Sequence, residues 1–365
     1  METAPSNQPT PPVREKPSLY YVANTQNENL GDIVINLLLI EQCAKLFNVT
    51  VNVRNCPPHY IEAIRKTECF VVDSGHFSFV SAMIYRSIRR NRTYFFQKPG
   101  HFFGDEEGLK KTLVRTVSFL GMRCAGVRMV RVGASIGPFR TTVETMLEKL
   151  QASLHALYTV RESYSMTYCR AKGLPSSFCP DMAFLLTSRQ PGLARYGYCL
   201  SFRDMHLEGE HPATALSAME LLSQHSRLAV VTQVERDHAF NHDLSSRCNA
   251  EIHVGFNGSN ADEIFAIYNV STVTLSNRLH VLLFAAAQGS IPVPVIDRAK
   301  QTKIAGIFED LGLSYLIFDL SDEKPLDQHL EGISNQEAQI RSALTTAYQR
   351  NSQLISDALA YLSQS

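Results

Sequence analysis

The sequence predicts a soluble two-domain α/β protein with mainly parallel sheets, and three observations predict it. The chain has 365 residues, more than one hydrophobic core usually serves. Apolar β-prone runs alternate with amphipathic stretches of helical period along nearly its whole length, the pattern of successive βαβ units. Apolar residues make up 44% and charged residues 19%, enough for two cores and against wholesale disorder.

Residues 1–17 are polar and proline-rich and read as a disordered tail without the apolar core of a signal peptide. Strands are expected over residues 18–23, 49–53, 69–73, 93–97, 127–133 and 156–160, with helices in most gaps. Thr141 and Glu144 form a capping box before an apolar periodic run, and Gly173 stops a later helix. The loop 186–195, holding Pro191 and Gly192, separates a first domain over 18–190 from a second over 191–330. Strands of the second domain are expected over 196–202, 228–233, 251–256, 272–276, 291–296 and 315–319. The last segment, 331–365, carries a long amphipathic helix through Ile340, Leu344, Leu354, Ile355, Leu359 and Leu362, expected to pack back across the domains.

Lys+Arg and Asp+Glu balance at 35 each, so no global field recruits nucleic acid or an acidic polymer. The eight cysteines show no C-x-x-C pair and no metal-ligand spacing, which suits reduced thiols in a cytoplasmic setting. The longest apolar run, 33–40, is interrupted by Asn36 and is far shorter than the roughly 20 residues that span a bilayer. Peripheral contact with a membrane stays open.

Ligands of open α/β sheets bind beyond the carboxyl ends of strands, which directs attention to four places. In 272–297 a strand, a turn at Asn277 and a helix from about Arg278 to Gln288 put Arg278 and His280 in a first helical turn. Unpaired N–H groups and the positive dipole end there, with a guanidinium added, suit a phosphate or carboxylate; a surface arginine beside a half-buried histidine fits the same position. Arg203 follows a strand and offers a second clamp, or pairs with Asp204 or Glu208. Asn24 to Asp32 precedes the first helix, where Asp32 either caps the helix or accepts a proton from a substrate hydroxyl. The run GASIGPF at 133–139 reads as a loop whose glycines let backbone approach a ligand; it lacks the Lys-Ser/Thr of a P-loop, and no dinucleotide G-x-G-x-x-G is present. His76, His101, Glu235, Asp237 and His238 have no recognisable metal-ligand spacing. Arg86, Arg89, Arg90 and Arg92 read as a solvated helix end in preference to an anionic-membrane patch.

In chain order, Asn29-Leu30-Gly31-Asp32, GASIGPF, VRES at 160–163, DMAFLL at 181–186, SFR at 201–203 and RLHVLLFAAAQGSIPVPVI at 278–296 together resemble the polysaccharide pyruvyl transferase family. The resemblance implies two Rossmann-like domains in a glycosyltransferase-B-like arrangement, the first on the acceptor side and the second on the donor side. It implies transfer of the pyruvyl group of phosphoenolpyruvate onto two hydroxyls of a sugar as a cyclic ketal, in bacterial surface polysaccharide biosynthesis. The co-substrate would be phosphoenolpyruvate, with no other cofactor and no metal. The acceptor would be a nucleotide-linked or lipid-linked sugar, met in the cytoplasm or at the inner face of the membrane. Arg203, Arg278, Leu279 and His280 would hold the donor, with His280 and Asp32 as proton carriers. Asn29, Gly31, Ser74, Gly75, Ser135 and Gly137 would line the cleft or the acceptor. The chain departs from the family in Asp73-Ser74-Gly75-His76-Phe77 and in Ser135, which puts first-domain contacts in question. A glycosyltransferase using a nucleotide sugar, or a non-catalytic glycan-binding relative, fits the same architecture.

Overall fold

The computed structural model describes residues 15–89, 92–102, 108–203, 212–322 and 324–364. Residues 1–14 of the expected tail, together with Arg90, Asp204 and Glu208, lie outside them.

The first half runs β1 (Ser18–Val22), α1 (Leu30–Leu46), β2 (Asn48–Asn52), α2 (Pro58–Arg65), β3 (Phe70–Val72), α3 (His76–Ile88), β4 (Thr93–Gln97), β5 (Gly100–Phe102), α4 (Gly108–Cys124), β6 (Arg128–Ile136), α5 (Thr142–Leu154), β7 (His155–Val160), α6 (Ser163–Lys172) and β8 (Ser177–Phe178). The second runs β9 (Tyr196–Ser201), α7 (Pro212–His225), β10 (Leu228–Thr232), α8 (His238–Arg247), β11 (Ile252–Gly255), α9 (Ala261–Asn269), β12 (Ser271–Ser276), α10 (Leu279–Ala287), β13 (Ile291–Ile296), α11 (Thr302–Asp310), β14 (Phe318–Asp319), α12 (Leu326–Ser334) and α13 (Glu337–Gln364).

Two separate parallel sheets result. The first has the order β3-β2-β1-β4-β6-β7-β8, with β5 also pairing β6, and the second β11-β10-β9-β12-β13-β14. Helices connect the strands, so each sheet is covered on both faces and its central strands read as unbroken apolar runs. All of β10 and β13 is buried. Pro292 and Pro294 are tolerated because they lie where β13 has β12 alone beside it; β14 pairs only with Val295 and Ile296. The capping box of Thr141 and Glu144 opens α5, and Gly173, at φ 64°, closes α6.

The closing helix α13 ties the halves together. Tyr348 donates its hydroxyl to Leu283 O in the second half, while Tyr94 and Arg92 in the first donate to Leu362 O at 2.7 Å and Ser363 O at 3.0 Å.

Three sequence expectations are corrected. GASIGPF is not a loop through Ile136: β6 continues to that residue, because Gly133, at φ 59°, takes up a register shift against β7 and lets Pro180 O come within 2.9 Å of where a Cβ would stand. The strand expected over 315–319 shrinks to β14, its first part being a 3-10 turn at Ser314–Leu316. The short β5 and β8 were unexpected; two or three residues carry no readable period.

Candidate active site

The carboxyl ends of the two sheets face each other, and segments following β1, β2, β10, β11 and β12 meet there. Asn29 and Val234 form an antiparallel bridge between the halves, Leu30 N donates to Gln233 O at 3.0 Å, and His59 stands against Gly258.

On the second-domain side, β9 and β12 are neighbours in register, Ser201 beside Ser276. Ser276 Oγ donates to Ser201 O at 2.5 Å and accepts from Arg278 N at 2.9 Å. The Asn277 amide grips the backbone of Arg203 from both sides, accepting from its N–H at 2.7 Å and donating to its C=O at 2.6 Å. This cross-tie brings together Arg203 and Arg278, 75 residues apart in sequence. Arg278 is the extended N-cap of α10, one residue ahead of the helix, and its side chain makes no capping bond. Leu279 and His280 are the first two helical residues, so the N–H groups of a helix buried from Val281 to Ala287 point towards the cleft.

The Arg278 guanidinium is largely buried and pairs with Asp237, yet its Nε has no hydrogen-bond partner. Burial lowers the pKa of Arg278 and raises that of Asp237, each against the opposing pull of the other. The charges of Arg203 and Arg236 act on both. Three guanidiniums thus act on one buried carboxylate, surroundings that suit an anion.

His280 stacks on Phe284, centroids 5.8 Å apart and planes 14° from parallel. Its Nε2 is buried with no hydrogen-bond partner and lies 3.7 Å from Asp181 Oδ2, too far for a bond but close enough for charge attraction. Gly31, the second residue of α1, lies beneath the ring: a Cβ there would fall 2.8 Å from His280 Cβ and Cγ.

Asp181 belongs to a buried network. Its Oδ1 accepts from Ala183 N at 2.8 Å and its Oδ2 pairs with Arg161 Nη1. Arg161 Nε donates to Ser135 Oγ at 2.7 Å, and Ser135 Oγ donates to Glu162 Oε2 at 3.0 Å. Burial alone would raise the Asp181 carboxyl, but Arg161 and His280 hold it well below the usual carboxylate range. Glu162 goes the other way, raised by burial more than Arg161 and its two serine bonds lower it. A carboxylate kept ionised beside an imidazole orients the ring.

The other candidates divide. Asp32 is half-buried in the first turn of α1; the cap is Asn29, whose side chain accepts from Gly31 N at 3.0 Å. Ser135 stands inside the buried network. Gly137 is occupied by packing, the Tyr168 ring filling the place of its Cβ. Ser74 and Gly75 fall after the edge strand β3, held by Asn52 and Arg54, two strands from β1 and apart from the group. Of the residues raised for a metal, Asp237 is taken by Arg278, His76 begins α3, and the side chain of His101 lies outside the described residues. Among the described residues no group of three His, Cys, Asp or Glu side chains is placed to hold a metal ion. Arg161, Glu162 and Asp181 stood in the quoted motifs VRES and DMAFLL without a role; their pairing across 20 residues has no signal in a single sequence.

Two facing α/β domains with a cationic helix start between them define a glycosyltransferase-B-type architecture, and solved structures agree. The chain matches HepE of Anabaena, in complex with UDP and glucose, with TM-score 0.57 at 11% identity over 94% of this chain and 97% of that one. It matches a glycosyltransferase of Rickettsia africae with TM-score 0.57 at 8% identity over 95% and 96%. It matches an O-GlcNAc transferase of Thermobaculum terrenum with TM-score 0.52 at 12% identity over 95% of this chain, spanning 66% of that one. These likenesses show the fold. No curated protein matches in sequence. The model of the polysaccharide pyruvyl transferase family matches residues 29–293, and the chain belongs to that family.

Proposed function

We propose that the protein transfers the pyruvyl group of phosphoenolpyruvate onto two hydroxyls of a sugar, closing a cyclic ketal in surface polysaccharide biosynthesis. The observation that carries this reading is the pair of buried, unpartnered donors at the start of α10, Arg278 Nε and His280 Nε2, with Arg203 tied alongside through Asn277. Buried polar groups left unpaired cost free energy, and a ligand with a carboxylate and a phosphate would remove that cost.

Arg203 and Arg278 take the donor's two charged ends. His280, facing the carboxylate of Asp181, gives a proton to the methylene carbon, and the neighbouring carbon becomes electrophilic. One sugar hydroxyl adds there. A second then displaces phosphate, forming the second C–O bond of the ketal as the C–O bond to phosphate breaks. Of the two hydroxyl protons, one restores His280 and the other leaves with phosphate. Asp32, one residue beyond Gly31, takes the second of these protons from the acceptor hydroxyl and passes it to the departing phosphate. The acceptor is a nucleotide-linked or lipid-linked sugar met at the cytoplasmic side of a membrane.

Phosphate release from phosphoenolpyruvate tests the reading. It is expected only with a sugar acceptor present, and to be abolished in His280→Ala. Transfer from a nucleotide sugar with no phosphate release would instead identify a glycosyltransferase.

A further inference from the structure

The outer surface of the first domain carries apolar side chains that its own packing does not use. Helices α3, α4 and α5 lie side by side there. Phe79 and Met83 of α3 share one core cluster with Phe119 and Met122 of α4. Gln151 of α5 donates to Thr116 Oγ1 of α4 at 2.7 Å and accepts from Arg115 Nε at 3.0 Å. Of the nineteen exposed large apolar side chains among the described residues, three stand on α3, five on α4 and three on α5, eleven in all. On α4 they form a stripe, Leu109, Leu113, Val117 and Leu120, at the spacing of one helical face. Phe77 of α3 is 88% and Met146 of α5 65% exposed.

The charges on these helices have one sign. Arg86, Lys110, Lys111, Arg123 and Lys149 are exposed, and Arg89 caps α3. Neither α3 nor α4 contains an acidic residue, and the two of α5, Glu144 and Glu148, are buried. The acidic run Asp105 to Glu107, just ahead of α4, lies outside the described residues. The whole chain balances at 35 and 35, so the bases are segregated onto this face together with the apolar stripe. A second copy docked here would set six cations against six, which like-charge repulsion opposes. An anionic lipid surface complements both features, acyl boundary to the stripe and phosphates to the bases.

We infer that the α3–α4–α5 face is a docking surface for an anionic bilayer. In a parallel sheet each crossover helix begins near the carboxyl end of the preceding strand, so Phe77, Leu109 and Val143 mark the rim nearest the cleft. The bilayer would then lie beside the acceptor side of the cleft. That use rests on the acceptor of the proposed reaction being lipid-linked; the docking itself requires only this surface.

The test is sedimentation of the full chain with vesicles of equal parts phosphatidylglycerol and phosphatidylcholine, against phosphatidylcholine alone. The parent is expected to sediment with the anionic vesicles and to remain in solution with the zwitterionic ones. Each base near an anionic surface contributes about a fivefold factor in partition, so Lys110→Glu with Lys111→Glu is expected to weaken it about twentyfold or more. Leu113→Asp with Val117→Asp is expected to abolish sedimentation at unchanged Tm, because both positions are exposed. Phosphate release with a soluble acceptor is expected to be unchanged in either double variant, and that assay fails separately if the pyruvyl reading is wrong. Absence of sedimentation by the parent, retention of sedimentation by both double variants, or a dimer that Leu113→Asp with Val117→Asp dissociates would overturn the inference.

Discussion

Gly31 of the first domain lies directly against the imidazole of His280 in the second, with no room for a side chain between them. A glycine in the first turn of α1 is therefore a requirement of the interface and not of the helix. Alanine is the better helix former by about 1 kcal/mol, so Gly31→Ala leaves α1 intact and displaces His280. We expect turnover to fall about a hundredfold, the scale of a misplacement of about 1 Å, with Tm unchanged to within a few degrees. Equal turnover in the two proteins would show that this contact has no part in the reaction.

Asp237 pairs with Arg278, and in the proposed site it would compete with the donor for that guanidinium. Asp237→Asn keeps the shape and an oxygen facing the guanidinium while removing a negative charge beside the anion site. Affinity for phosphoenolpyruvate is expected to rise about tenfold, the worth of one added unit of partly screened attraction. Unchanged or weaker binding, measured by titration, would place the donor elsewhere.

Breaking the buried pair of Arg161 and Asp181 should be costly. Arg161→Met strands a fully buried carboxylate, a change worth about 3–5 kcal/mol, and denaturant unfolding should report a loss of that order. Asp181 has its folded pKa depressed, so its stabilisation is present above the unfolded carboxylate range and is lost only as pH falls well below it. The loss in Arg161→Met is therefore expected to persist across pH 5–8.

Lys303 gives a pH dependence of opposite sign. Burial pushes its ammonium down to about 7, whereas unfolded chains hold it near 10.5. Below pH 7 both states are charged and the cost of burying that charge is present in full. Stability recovers as pH rises from 7 towards 10.5. Lys303→Met is expected to unfold at higher temperature than the parent at pH 6, by at least about 1 kcal/mol in stability, with the gap narrowing by pH 9.

The architecture was legible because strands buried on both faces are continuous apolar runs, as Leu228–Thr232 and Ile291–Ile296 show, and because caps such as Thr141 with Glu144 are local in sequence. The cationic helix start at Arg278 and His280 was legible for the same reason: strand, turn and helix follow one another within 25 residues. What was hidden depends on distant pairing. Asp181 meets His280 across 99 residues and Arg161 across 20, and Asp237, noted only among loose metal candidates, turns out to face Arg278. The glycines of GASIGPF misled because a register shift within a strand and a flexible loop ask for the same residue.

In the proposed reaction Arg278, with Arg203 and His280, holds a doubly charged three-carbon donor. Calorimetric titration of phosphoenolpyruvate into the parent and into Arg278→Ala tests it most directly. Saturable one-site binding is expected for the parent, weakened at least about tenfold by the substitution, since a hydrogen bond to a charged group contributes about 1.5–3 kcal/mol. Equal affinity in the two proteins, or binding of UDP-glucose by a parent indifferent to phosphoenolpyruvate, would contradict it.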